Sequence, residues 1–303
     1  MDGNNGKKAW SVLKPLLKVG FTILALWLVY TKVDIAALQR LWKEANPWWL
    51  APAIAAFIFC QVTTSVRLLH FFRNIGLPIS ARSNFRLYLL GMFYNLFLPG
   101  GIGGDGYKII ILKQRYPFTT RKEVFSAVFF DRLSGLWALC LLVALFSTVL
   151  PRIQEYSWWI LPAVGVGTIL YYWVLRRFFK KVSQHFVRIH LIAICTQALQ
   201  LVTVSFILKA LGCPTSYWPY FAIFMASSLA SLFPFSVGGL GAREVVIVWG
   251  ATTLELDKDL AVSISLSFYL ITMAMALTAI PVLFRKERAQ PEDAPADERT
   301  INA

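Results

Sequence analysis

The chain has 303 residues, of which 57% are hydrophobic and only 15% charged, and its formal net charge is +14. A soluble domain carries about a quarter charged residues, so composition excludes a water-soluble globular fold. The positive charge points to anionic lipid headgroups and not to nucleic acid, because it collects in loops between apolar runs and leaves no basic face.

The apolar runs approach the ~20 residues that cross a hydrocarbon core. In that solvent every backbone polar group must be satisfied within its own segment, which selects helices, and no barrel-type alternation is present. The expected fold is an all-α polytopic membrane protein, with about six full spans plus two re-entrant helical hairpins in an inverted repeat. Residues 1–15 form a basic cytoplasmic N-terminus. Residues 16–284 form a single transmembrane domain, and residues 285–303, rich in Pro, Ala, Asp and Glu, form a disordered cytoplasmic tail.

In chain order, span one covers about residues 16–31. It ends at Trp27-Leu28-Val29-Tyr30 with no small-x-small cleavage pattern, so it reads as a retained signal anchor. Residues 33–45 pattern as an amphipathic helix in the interface. Span two covers about 48–69 and leads to Arg67, Arg73, Arg82 and Arg86. Residues 85–112 are two short apolar arms around Pro99-Gly100-Gly101-Ile102-Gly103-Gly104-Asp105-Gly106, with basic residues on both flanks. This is the first hairpin, entering from the cytoplasm. Spans three, four and five cover about 123–150, 158–175 and 189–208. The second hairpin, about 217–254, surrounds Gly238-Gly239-Leu240-Gly241-Ala242-Arg243-Glu244 and enters from the opposite side. Span six is about 260–284. With both termini inside, 21 Lys/Arg fall on the cytoplasmic side, six outside and three at membrane depth. Reading either hairpin as one crossing erodes that bias.

Both breaks read Gly-Gly-aliphatic-Gly-small-charged after a proline. Broken helices in matching positions of an inverted repeat mark a substrate site. Glycine-rich turns let backbone N–H groups converge, and the restarting helix aims its positive end at the break, which suits a phosphate. The candidate binding residues are Asn95, Gly100, Gly101, Gly103, Gly104, Asp105, Lys108, Asp131, Arg132, Ser236, Gly238, Gly239, Gly241, Arg243 and Glu244. Lys108 and Arg243 supply positive charge; Asp105, Asp131 and Glu244 hold those cations or meet a cationic headgroup. Plainer readings stand beside these. The glycines serve close packing, Asp131 and Arg132 form a local charge pair near the cytoplasmic boundary, and Tyr94 and Asn95 are helix contacts. Gln197 and Gln200 read as bonds to a neighbouring helix. The four cysteines form no C-x-x-C pair, and His70, His185 and His190 have no ligating residues beside them, so no metal or other cofactor is expected.

The stretches Phe93-Tyr94-Asn95-Leu96-Phe97-Leu98-Pro99-Gly100-Gly101-Ile102-Gly103-Gly104-Asp105, Asp131-Arg132-Leu133-Ser134-Gly135 and Pro234 to Glu244 resemble the flippase-like transmembrane region of lysylphosphatidylglycerol synthases. The resemblance covers about residues 10–288. It implies translocation of a modified or anionic phospholipid, or a glycolipid, between leaflets of a bacterial inner membrane. No segment of the chain resembles the soluble aminoacyl transferase domain of the fused enzymes, so the expectation is a non-enzymatic, stand-alone member. Membrane lipids are its expected partners, with a homo-oligomer and a separate lipid-modifying enzyme as further options. The alternatives are a secondary transporter of a small anion, an enzyme acting on lipid phosphates, and a non-transporting partner in envelope assembly.

Overall fold

The computed structural model describes residue 43 and residues 45–97, 103–149, 154–231 and 242–284. Span one, most of the interfacial helix and the tail lie outside these residues. Among the described residues the chain is all helical. The helices are α1 (Pro47–Asn74), α2 (Ala81–Phe97), α3 (Gly103–Arg115), α4 (Arg121–Ser147), α5 (Ser157–Phe178), α6 (Phe186–Ala210), α7 (Trp218–Ala230), α8 (Ala242–Thr253), α9 (Lys258–Leu277) and α10 (Ile280–Phe284). Among the described residues, five helical segments are long and apolar enough to cross a membrane: Pro47–Asn74, Arg121–Ser147, Gln154–Phe178, Phe186–Ala210 and Lys258–Phe284. They correspond to expected spans two to six.

Local chemistry sets the helix starts. Asn46 caps α1, its Oδ1 accepting from the Trp48 N–H at 3.1 Å, with Pro47 at the first helical position. Thr120 and Glu123 form a reciprocal capping box at α4. Asp257 accepts from the Asp259 and Leu260 N–H groups to open α9.

The two sequence breaks separate helices that fold back on each other: α2 packs on α3, and α7 on α8. The Tyr94 and Tyr107 rings lie 4.6 Å apart, and Gly104 abuts Gly91, so the two arms of the first pair are in close contact. Loop residues on both sides of α2–α3, namely Ile75, Leu77, Ile79 and Tyr116, join one apolar cluster with Leu68, Phe72 and Ile189. Residues on both sides of α7–α8, including Leu211, Cys213, Leu254 and Leu256, pack on another cluster with Phe57, Phe224 and Phe268. Along α1 the second cluster holds Ala53 and Phe57, while the first holds Leu68 to Phe72. The two hairpins therefore open at opposite ends of the bundle.

The contacts repeat across the two halves. The pair α1 and α6 makes the most extensive contact in the bundle; α4 packs on α7 as α9 packs on α2, and α1 on α4 as α6 on α9. Exchanging α1–α4 for α6–α9 maps these contacts onto one another, as expected of a repeat, while α1 packs on α2 with no comparable contact of α6 with α7.

Between the two apolar clusters lies a polar waist. On α1 it holds Cys60, Gln61, Thr64 and Arg67; on α4, Asp131, Ser134 and Gly135; on α6, Thr196 and Gln197. Most of these positions fall toward the middle of long apolar helices, with Arg67 seven residues before the end of α1. Asp131 stands ten residues inside α4, about 15 Å from its start.

A candidate headgroup site in the polar waist

The first locus is built by the restart of α3. Asp105 and Lys108 lie in its opening turns and are both buried. Asp105 Oδ1 is 3.1 Å from Lys108 Nζ, and its Oδ2 pairs with Arg132 Nε on α4. Lys108 also sits 5.5 Å from the Tyr88 ring centroid on α2, a cation–π contact. The lysine stem fits there because residue 91 is glycine, where a Cβ would overlap Lys108 Cε. Arg132 remains 38% exposed while Asp105 is 12% exposed at the side chain, so the pair carries charge from the bundle interior to an accessible face.

The chain of polar contacts continues. The Tyr88 hydroxyl donates to Gln61 Oε1 at 2.6 Å. Arg67 Nε donates to Asp131 Oδ1 at 2.8 Å, with both side chains under 10% exposed. Gly135 leaves room for the guanidinium, whose Nη1 lies 3.1 Å from where a Cβ would stand. Gln197 Nε2 donates to the Gly135 carbonyl at 3.2 Å, a bond to a neighbouring helix as expected. Among the described residues this region holds three cations, Arg67, Lys108 and Arg132, against two carboxylates, Asp105 and Asp131.

These contacts correct the plainer reading of Asp131 and Arg132 as a local charge pair near the boundary. Adjacent residues on a helix point about 100° apart, and here each reaches a different helix: Asp131 to α1, Arg132 to α3. They correct the reading of Arg67 as well. Counted among the cytoplasmic loop residues, it is buried within the bundle.

The glycines divide by role. Gly104 serves close packing, since a Cβ would overlap the Gly91 carbonyl. Its N–H is occupied too, donating to Asn95 Oδ1 at 2.8 Å. Asn95 is thus a contact between hairpin arms that satisfies one of the free donors at the start of α3. Gly103 opens that helix. Gly100, Gly101, Ser236, Gly238, Gly239 and Gly241 lie outside the described residues.

The second locus is at the restart of α8. The Arg243 guanidinium lies 4.5 Å from the Phe224 ring centroid and 5.1 Å from that of Phe268. Its Nε and Nη2 are buried with no hydrogen-bond partner among the described residues. Those two rings lie edge to face with centroids 4.8 Å apart, so the guanidinium sits beside the pair. The buried N–H groups of such a cation suit an oxyanion acceptor. The neighbouring Glu244 lies in the first turn of α8. Tyr269, next to Phe268 on α9, shares an apolar cluster with Tyr94 and Tyr107 of the first hairpin, which links the two loci.

Arg67, Gln61, Tyr88 and Gly91 escaped the sequence reading. A glycine inside an apolar helix was the available signal for Gly91, and an arginine within the last turns of an apolar span the signal for Arg67.

Apolar helices of spanning length, two broken helices folded back into the bundle and ionised side chains buried at mid-span define an integral membrane protein with a polar interior. The chain belongs to the family described as the lysylphosphatidylglycerol synthase TM region, whose model matches residues 16–280. No curated protein matches it, and no solved structure does.

Proposed function

We propose that the chain is a lipid translocator, flippase-like or scramblase-like, which moves a phospholipid or glycolipid headgroup between leaflets. Its membrane in this reading is the bacterial inner membrane, with both termini cytoplasmic, in line with the bias of Lys and Arg between loops. The headgroup occupies the polar waist between the hairpins while the acyl chains stay in lipid. Rocking of the two repeats about the α1–α6 contact exchanges access between the faces. The chain performs no covalent chemistry here; it binds and relocates.

The observation that carries this reading is Arg243. Its Nε and Nη2 are buried with no hydrogen-bond partner among the described residues, and the guanidinium lies against two aromatic rings at the start of α8. An ionisable group at that depth without a fixed partner is costly, and a lipid phosphate offsets the cost by accepting those donors. Family membership agrees with lipid handling.

The test is movement of fluorescent phospholipid in proteoliposomes. Arg243→Ala is expected to lower the rate at least tenfold, with Arg243→Lys intermediate, since an ammonium keeps the charge and loses the planar fork. Wild-type rates in a folded Arg243→Ala variant would refute the site. Uptake of a soluble anion with no lipid movement by the wild-type chain would assign it instead as a secondary transporter. Neither activity, in a chain needed for envelope growth, would mark it as an assembly partner.

A further inference from the structure

A groove of about 1000 Å³ lies between α5 and the start of α6, away from the polar waist. One wall is a single face of α5. Thr168, Tyr172 and Arg176 follow each other at helical spacing, running about 12 Å from apolar surface to charge. Phe186 and Val187 on α6 form the other wall, and Lys180 and Arg188 complete a basic rim with Arg176. No Asp or Glu lines the groove.

The rim is a built structure. Asn74, at the end of α1, donates from Nδ2 to the Gln184 carbonyl at 2.7 Å, and its Oδ1 lies 3.1 Å from His185 Nδ1. His185 holds a left-handed backbone, φ 55°, where the chain turns into α6. Ser183 Oγ donates to the Lys180 carbonyl at 2.9 Å. The nearby Lys181 is engaged with Glu123 at 2.7 Å, so the acid beside the groove neutralises a lysine outside it. Arg176 is steadied over the Tyr172 ring at 5.7 Å.

Apolar walls of this length reach through most of one leaflet's hydrocarbon, roughly 15 Å of the ~30 Å core. Three cations then meet the headgroup level. We propose that this groove is a binding site for an anionic phospholipid of the adjacent leaflet, held by its phosphate on Arg176, Lys180 and Arg188 with an acyl chain along α5. The site is separate from the translocation site, and its occupancy does not depend on whether the chain moves lipid.

Native mass spectrometry of the full chain, loaded with phosphatidylglycerol or with phosphatidylcholine of the same acyl composition, tests it. The wild-type chain is expected to retain phosphatidylglycerol preferentially. Each charge removed is expected to weaken that retention about fivefold, from a contribution of roughly one basic residue near an anionic surface. Arg176→Gln/Lys180→Gln/Arg188→Gln then abolishes the preference. Arg188→Gln alone, at an exposed side chain, keeps the test available if the triple variant does not fold. Equal retention of both lipids by the wild-type chain, or unchanged preference in Arg188→Gln and the triple variant, would overturn the site. So would displacement of the lipid by inorganic phosphate at equal concentration, which would assign the rim to a soluble anion.

Discussion

Arg67 and Asp131 are each other's solvation. Both are buried, and their hydrogen bond bridges α1 and α4 across 64 residues of sequence. Removing one partner leaves a lone charge in the bundle, at a cost of about 3–5 kcal/mol. Arg67→Met is therefore expected to lower the unfolding midpoint in detergent strongly. Arg67→Met/Asp131→Leu should recover much of the loss, because a matched apolar pair needs no counter-charge. A double variant no more stable than either single would show that the pair is not what these residues contribute. Sequence patterning identified Asp131 as a group at membrane depth, since a carboxylate in an apolar run is conspicuous. It missed Arg67 because arginine near a span end also obeys the charge bias of cytoplasmic loops, and periodicity carries no information about which distant helix a side chain will meet.

At the scale of the helix, the first hairpin owes its close approach to small residues. α2 and α3 approach closely where Gly104 meets the Gly91 backbone. Gly104→Ala is expected to force the arms apart and cost about 1–3 kcal/mol, the range for overpacking. Gly106→Ala, where a Cβ would meet nothing within 4 Å, should be neutral or slightly stabilising, as alanine favours a helix by up to about 1 kcal/mol over glycine. Thermal unfolding of the two variants side by side distinguishes them, and equal stability would remove the packing role of Gly104. Both helix–break–helix elements were legible in sequence, because a proline and a run of glycines interrupting an apolar segment have few other meanings in a bilayer. The division of labour among those glycines was not, since packing and anion cradling ask for the same residue.

For the whole molecule, the two apolar clusters define two ends. Loop residues before and after the second hairpin gather at one of them, and Val182 of the α5–α6 loop joins the cluster at the other. Cysteine-scanning labels at Thr215 and Glu255 should therefore react from the same side of the membrane, and a label at Lys180 from the opposite side. Thr215 and Glu255 labelling from opposite sides would mean that the segment crosses. Spans two to six and their order could be read from hydropathy. The polar waist could not, because it is a layer assembled from the middles of three helices and exists only once they pack.

That layer bears on how the chain is made. Arg67 leaves the ribosome 64 residues ahead of Asp131, and a lone arginine costs about 2.5–3.5 kcal/mol to release into lipid at a helix centre and less toward a helix end. A helix carrying that charge is better held beside the insertion machinery until the later segment arrives with the opposite charge. The order of synthesis then favours a delayed, paired release.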